Sequence, residues 1–439
     1  MDEWVMPDTL DRRKLMDTVR YEIAQDLPLL DEVDVIVAGG GPGGLGAAVM
    51  AARCGAKTLL VERYGFLGGM AVSGEVHPFM PNHLSDQPLD GPVYTEWVEK
   101  MREYWPREGK ERHISKDTAM LAAEDLCLEA GVNLLYHHHL ADVLVSDGAI
   151  DALVLFSKSG LTAAKAKVYI DCTGDADLAA RAGCECEVGG PSGHCQPMTL
   201  CFKLSHVDRS RSPDRNEITR LYNEARDRGE IDCTRENVLL FDWLEDDVVH
   251  FNTTRILHRD GTSGADLSSA ETEGRQQMRQ FFQFFQSHVP GYENAQIHSV
   301  AAHIGIRETR RVRGMAYLER GDFEEGRKFR DAIARVRYPI DIHNPDGTGT
   351  EIIRLPEGEW YEIPYGCIVA KDMNNLLIGG RPISVDHAVH SSMRVMPPAC
   401  TVGQAAGLAA ALAVEQGCTP GELDGVEIRQ KLIEQKARL

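Results

Sequence analysis

Long apolar runs are what this 439-residue chain most plainly lacks: no uninterrupted stretch of about 20 apolar residues, the length of a membrane-spanning helix, occurs in it. The first 30 residues mix charges with isolated apolar side chains and hold no apolar segment of the kind a secretory leader needs, so a cytoplasmic address is expected. Positive charge is also scarce. Lys and Arg number 47 against 67 Asp and Glu, a formal net charge of −20. Phosphate backbones and anionic bilayers would meet such a surface unfavourably, which excludes nucleic acid and membrane as expected partners. Local basic patches can still receive an acidic small molecule. Paired cysteines are missing as well: the 11 cysteines include no C-x-x-C or C-x4-C spacing, so a zinc ribbon, a ferredoxin-type cluster and a redox disulfide have no basis. Cys184, Cys186, Cys195 and Cys201, with His194 beside them, read as ordinary thiols. The run His137-His138-His139 would send alternate side chains to opposite faces of a strand and so chelates poorly. No metal is expected.

What is present reads as a globular α/β protein. Apolar residues make up 43% and charged residues 26%, and the length suits two interleaved domains. Residues 8–26 carry apolar side chains at helical spacing up to Pro28. A β-rich run, 33–38, leads straight into Gly39-Gly40-Gly41-Pro42-Gly43-Gly44; an alanine-rich helix, 45–54, follows, then a second strand, 57–62. That order is the βαβ unit of a Rossmann-type fold. After a helix at 116–130, strands at 133–137, 141–145, 150–156 and 166–170 are separated by Asp147-Gly148 and Ser159-Gly160, the pattern of an antiparallel meander returning to a parallel sheet. Residues 196–360 have a different texture, richer in charge and aromatics, with a capping-box pattern at Ser268–Glu271 opening a helix to 289. The Rossmann texture resumes at 375–380 and ends in an alanine-rich helix, 400–417. The expected organisation is an N-terminal helical extension (1–30), a nucleotide-binding domain in two pieces (31–195 and 361–439) and an inserted α+β substrate domain (196–360).

Each glycine of the turn has a task. Gly39 makes the tight turn, Gly41 lets a pyrophosphate approach the backbone, and Gly44 lets helix and strand pack closely. The helix N-terminus then favours the phosphate charge. Glu62, ending the next strand, is placed to accept from ribose hydroxyls and would repel a 2′-phosphate, which disfavours NADP. A Gly68-Gly69 loop after the second strand and a C-terminal helix starting near Pro398 go beyond what NAD binding requires. They suit FAD, whose N1–C2=O edge gains negative charge on reduction and is favoured by a helix N-terminus.

The motifs GGGPGG (39–44), ERYGFLGGM (62–70), IDCTGDADLA (170–179), QPMTL (196–200), GIRETRR (305–311), YPIDIHNPDG (338–347) and SSMRVMPPACTVGQAAGLAAALA (391–413) together resemble the FAD-dependent oxidoreductases allied to glutathione reductase and fumarate reductase. The resemblance spans about 33–417. It implies that FAD is held by Gly39, Gly41, Pro42, Gly43 and Gly44, by Glu62 and Arg63, and by the Gly68-Gly69-Met70 loop. It further implies contacts from Thr173, Gly174 and Asp175, and from Gly380, Arg394, Met396 and Pro398 near the final helix. Relatives with covalent flavin carry a histidine just after the loop glycines. Met70 and Ala71 stand there in this chain, so noncovalent FAD is expected.

No second G-x-G-x-x-G follows at a strand–helix junction, and no cysteine pair stands by, so a small-molecule substrate is expected to meet the flavin directly and exchange a hydride with N5. The accompanying proton needs a carrier. His343, in a segment whose Pro and Asn suggest a loop, and His390, just before Ser391-Ser392-Met393-Arg394, are the leading candidates, with His387 and His303 behind them. Arg394 and Arg307 are the cationic candidates, Arg307 with an internal ion pair to Glu308 as its competing role. Three function classes stay open: an oxidoreductase of a small polar, hydroxylated molecule, a flavin-assisted enzyme of net non-redox chemistry, and an electron-transfer subunit with a redox partner. A homodimer suits a flavoprotein of this size.

Overall fold

The computed structural model describes residues 26–105 and 114–439, so nearly all of the helix expected over 8–26 lies outside the described residues. A Rossmann-type sheet forms the centre. Leu29–Ala38 runs parallel to Thr58–Val61 on one side and to Gly160–Asp171 on the other, and Thr58–Val61 pairs in turn with Asn133–Leu135. Val35, Ile36 and Val37 have no solvent exposure, as a parallel strand covered on both faces requires. The helix Pro42–Arg53 makes the crossover. The first strand begins at Leu29 rather than at 33, which moves 29–30 out of the expected helical extension: the backbone pairs early, opposite Ala163, although Leu29 and Leu30 are exposed.

The meander is His139–Ser146, Ala149–Ser157 and Gly160–Asp171, each antiparallel to the next. Asp147 and Gly148 both take positive φ (48° and 74°), the requirement of a two-residue type I′ turn. Gly160–Asp171 is shared by two partners along one edge. Its start pairs with Ala149–Ser157 and its end with the returning strand Leu376–Ile378. The Asn375 amide closes that fork, accepting from the Ile150 N–H at 2.8 Å and donating to its C=O at 2.9 Å.

A second, antiparallel sheet of Leu240–Asp242, Val249–Phe251, Phe202–Ser205 and Gln296–Val300 stands apart from the first. With the helices Arg215–Asp227 and Gly264–His288 it encloses its own core, in which Phe202 stacks on Phe251 (4.8 Å) and Tyr222 on Phe281 (5.3 Å). The strands Ala332–Val336, Ile340–His343 and Tyr361–Pro364 contribute Ile333, Val336, Ile340 and Tyr361 to the first core. The long helix begins at Gly264, not at 269: Ser263 is its cap, accepting from the Asp266 N–H, and Ser268 lies inside it. Several helices differ from the sequence expectation, Arg215–Asp227, His387–Met393 and Gly425–Glu434 among them, as does Val93–Tyr104, although its Val93, Trp97 and Met101 recur every four residues and are buried.

The two ends of the chain meet through glycine. Pro42–Arg53 packs against Met396–Gln416 so closely that backbone touches backbone. A Cβ on Gly403 would lie 1.9 Å from the Gly43 carbonyl oxygen, one on Gly407 2.1 Å from that of Ala47, and one on Gly46 2.1 Å from that of Cys400. Among the described residues Met396–Gln416 is the one helix long and apolar enough to cross a membrane by composition, and 94% of that apolar window is buried within the fold. Its apolar length is explained by this buried position. Gly403→Ala and Gly407→Ala are therefore expected to cost about 1–3 kcal/mol or more each by overpacking. Gly264→Ala, where a Cβ meets nothing within 4 Å, is expected to be neutral or stabilising by roughly 0.5–1 kcal/mol. Urea unfolding of the three variants checks the contrast; equal effects would contradict the close contact.

Candidate functional site

A cavity of about 900 Å³ runs from the glycine turn to the second sheet. At one end two helix N-termini open into it. Gly41, Pro42 and Gly43 begin one helix and Val395 and Met396 the other, Met396–Gln416. Neither has a side-chain cap, so Pro42–Arg53 leaves N–H groups of its first turn for a ligand, and Met396–Gln416, with Pro397 and Pro398 next, leaves the Met396 N–H. Gly39 (φ +100°) turns there with Cys172 against it, where a Cβ would come within 2.4 Å of the Cys172 carbonyl oxygen. At Gly41 a Cβ would meet only the Gly69 Cα, at 3.7 Å, which leaves that backbone open towards the cavity. Gly69 lines the wall with Met70, and the Gly68 N–H donates to the Gly40 carbonyl at 2.8 Å, locking loop to turn.

Glu62 is buried at this end. Its Oε2 accepts from the Gly40 N–H (2.7 Å) and its Oε1 from the Tyr64 N–H (2.9 Å). Burial pushes its carboxyl up, while the two N–H groups and Arg63 oppose the shift. Each oxygen thus keeps a lone pair for a hydroxyl in the cavity, which Glu62 and Arg63 both line. The Thr173-Gly174-Asp175 turn is set by Asp171, which has no solvent exposure and accepts from the Thr173 N–H and Oγ1 and from the Ala179 N–H. Asp175 in turn accepts from Thr309 Oγ1 and Arg381. Asp171 and Arg381 carry part of this site and had gone unmarked in the sequence. Gly380 and Met396 line the wall as expected. Gly44, Gly68 and Pro398 do not. A Cβ on Gly44 would fall 1.8 Å from the Gly39 carbonyl oxygen, which makes it the packing glycine of the turn, and Pro398 is buried within the first turn of Met396–Gln416. Uncapped N-termini, an open Gly41 backbone and a buried carboxylate fit a dinucleotide.

Part of the wall is basic: Arg235, Arg307 and Arg394 line it with His343 and Asp341. Arg307 donates to the Pro197 carbonyl and to Thr199 Oγ1, both at 2.6 Å, and to Asn252 Oδ1 at 3.4 Å. The competing ion pair with Glu308 does not form, because Glu308 turns away to Arg311 and His387. Arg394 reaches only Gln196 Oε1 (3.5 Å) and the Asp341 carbonyl (3.4 Å), and Nε of both Arg394 and Arg235 has no partner. Among the described residues none of the three guanidinium groups is ion-paired. Burial, then Arg394 and Arg235, push Arg307 down to about 9.

His343 lies in the strand Ile340–His343, not in a loop; the Pro and Asn that suggested one belong to the turn immediately after it. Its Nδ1 is 3.2 Å from Thr350 Oγ1 and its Nε2 3.8 Å from Asp341 Oδ1. Burial, followed by Arg307, Arg394 and Arg235, holds it well below the usual histidine range. His390 is misassigned as a cavity residue: it has no solvent exposure, sits in the helix His387–Met393 and is absent from the cavity wall. The helix turns its imidazole into the fold, where neither ring nitrogen has a hydrogen-bond partner among the described residues. His387 binds Glu308 and His303 the Ile304 carbonyl, both outside the wall. His77, unmarked in the sequence, does line the cavity, buried and with neither ring nitrogen partnered.

A family model described as FAD dependent oxidoreductase matches residues 34–432. A thiamine thiazole synthase of Methanococcus vannielii is 29% identical over 184 residues, 40% of this chain and 67% of that protein. A dihydrolipoyl dehydrogenase of Trypanosoma brucei brucei is 50% identical over 46 residues, 10% of each chain. The chain thus spans about two thirds of the first relative's length and a tenth of the second's. Of the solved structures, a geranylgeranyl bacteriochlorophyll reductase-like protein of Thermoplasma acidophilum superposes with a TM-score of 0.47 at 13% identity, over 93% of this chain and 84% of that one.

With Met70 and Ala71 where an attachment histidine would stand, acid precipitation is expected to leave the yellow colour in the supernatant; a yellow pellet would contradict noncovalent binding. Glu62→Ala leaves the Gly40 and Tyr64 N–H groups unpaired, each about 1–3 kcal/mol, and is expected to weaken FAD uptake by apoprotein at least roughly tenfold, read by flavin fluorescence.

Proposed function

The chain belongs to the family of FAD dependent oxidoreductases, and from that premise we propose that it exchanges a hydride between flavin N5 and a carbon of a small, polar, anionic substrate. One observation carries the reading: three guanidinium groups, Arg235, Arg307 and Arg394, line part of the cavity wall without an ion-paired carboxylate among the described residues. Buried charge left in that state is costly, and a substrate carboxylate or oxyanion supplies the missing partner through charge-assisted hydrogen bonds. The bound flavin supplies a hydride acceptor or donor at N5.

The rest falls to the chain's own side chains. Arg307 is fixed by the Pro197 carbonyl and Thr199, so its remaining N–H groups are oriented before the substrate arrives. His343 is held neutral by burial and the arginines, so its Nε2 can accept the substrate's hydroxyl proton as the C–H bond gives up its electron pair. Asp341 Oδ1, 3.8 Å from that nitrogen, then favours the charged ring. A second reading, flavin-assisted biosynthesis without net redox change, draws on the likeness to thiamine thiazole synthases over 40% of the chain.

Anaerobic titration of the purified holoprotein with a panel of small carboxylates, hydroxylated and saturated, separates the two readings. Hydride transfer predicts bleaching of the flavin by at least one of them, with the required concentration rising roughly 10–100-fold in Arg307→Met. Bleaching by uncharged alcohols alone would contradict it. His343→Asn is expected to slow bleaching by about 10²–10⁴-fold. Because His343 titrates below the ordinary value of about 6.5, the apparent second-order rate of oxidation should stay level as pH falls through that value. A fall centred there would contradict the assignment.

A further inference from the structure

Away from the cavity, three side chains from distant parts of the chain converge: His194, His258 and Asp346, whose donor atoms all lie within 4.8 Å of one another. His194 Nδ1 is 2.5 Å from Asp346 Oδ1, and the rings of His194 and His258 meet edge to face with centroids 4.5 Å apart. All three are exposed. Among the described residues no other group of three His, Cys, Asp or Glu side chains comes together in this way.

We propose that these three residues form a binding site for a divalent transition-metal ion of the zinc class. Two imidazoles and one carboxylate are borderline donors, suited to zinc, cobalt or nickel rather than to calcium or magnesium, which take oxygen. Around a tetrahedral ion with bonds of about 2.0–2.1 Å, donor atoms stand roughly 3.3 Å apart. The group brackets that spacing, and small side-chain rotations close it. Two neutral imidazoles and a carboxylate leave an ion one net positive charge, in a protein whose formal charge is −20.

The supporting backbone is firm. The turn carrying His194 is tied by the Gly190 N–H to the His194 carbonyl (3.0 Å) and by Arg311 to the Gly189 carbonyl (2.9 Å). His258 follows the bridge between Ile256 and Met198 and takes a positive φ of 54°, a conformation uncommon outside glycine. Asp346 lies in the turn joining Ile340–His343 to Thr350–Ile353, where its N–H donates to Asn344 Oδ1 (3.0 Å). That hairpin carries His343 and Thr350 into the cavity wall. An ion would therefore clamp the turn bearing the site's histidine to two neighbouring loops. The three residues are too far apart in sequence for a spacing motif, and His194 sits beside cysteines that take no part.

Isothermal titration of the FAD-loaded protein with zinc chloride tests the site. The wild type is expected to bind one ion per chain that His258→Ala and Asp346→Asn each weaken at least roughly tenfold, with FAD content unchanged. Zinc should also raise the thermal midpoint of the wild type and not of the variants, while magnesium chloride has no effect. Binding equal in wild type and variants, or no saturable binding in the wild type, would overturn the proposal. The cavity's chemistry does not enter this test, so its result stands whatever the substrate.

Discussion

Two helices from opposite ends of the chain touch through their backbones, and the cofactor seat depends on that contact. Gly43 and Ala47 on one helix face Gly403 and Gly407 on the other, at separations no Cβ could share. The closeness brings two helix N-termini, each without a side-chain cap, to one cavity. The first offers N–H groups of its opening turn, whereas Pro397 and Pro398 leave the second only the Met396 N–H; both add a partial positive charge of roughly half an electron. An FAD has two places for such charge, a pyrophosphate and the flavin edge that gains an electron pair. The chain must therefore return to its starting helix for both to be served, and the pairing of Leu376–Ile378 beside Gly160–Asp171 is how it returns.

The basic part of the cavity wall runs against the usual economy of folding. Three guanidinium groups, Arg235 buried and Arg307 and Arg394 partly so, stand without ion-paired carboxylates among the described residues, and burial, then the neighbouring arginines, push Arg307 down. A core built for stability alone would not hold them so. The fold tolerates the arrangement because carbonyls of Pro197 and Asp341 and the side chains of Thr199, Asn252 and Gln196 accept part of the charge. What they leave is a positive patch on the cavity wall, open to the anionic substrate we propose.

The cofactor half was legible in the sequence because its constraints are local. Gly39, Gly41 and Gly44 act within one turn, Glu62 ends the next strand, and Asp147-Gly148 can make only a tight hairpin. Arg381 was not legible, because it acts through hydrogen bonds to Ile306 and Asp175, which sequence order keeps distant; Asp171 acts locally, on Thr173 and Ala179, and was hidden by the turn that follows it. His343 was found by its residue type but placed in a loop, since Asn344 and Pro345 describe the turn that follows rather than the strand. His390 was misjudged because nearness in sequence to Arg394 says nothing of which way a helix points its side chain. His77 reaches the cavity from a loop with no periodicity to read. The Ser263 cap was overlooked for a better-matching pattern at Ser268, which the helix simply runs through.

The most direct measurement is the near-ultraviolet and visible absorbance of the chain purified without added cofactor, with flavin counted against protein. The account predicts the two flavin bands and, on full loading, one FAD per chain. A colourless chain that stays colourless when FAD is supplied would contradict the assignment of both helix N-termini and, with it, the reading of the whole cavity.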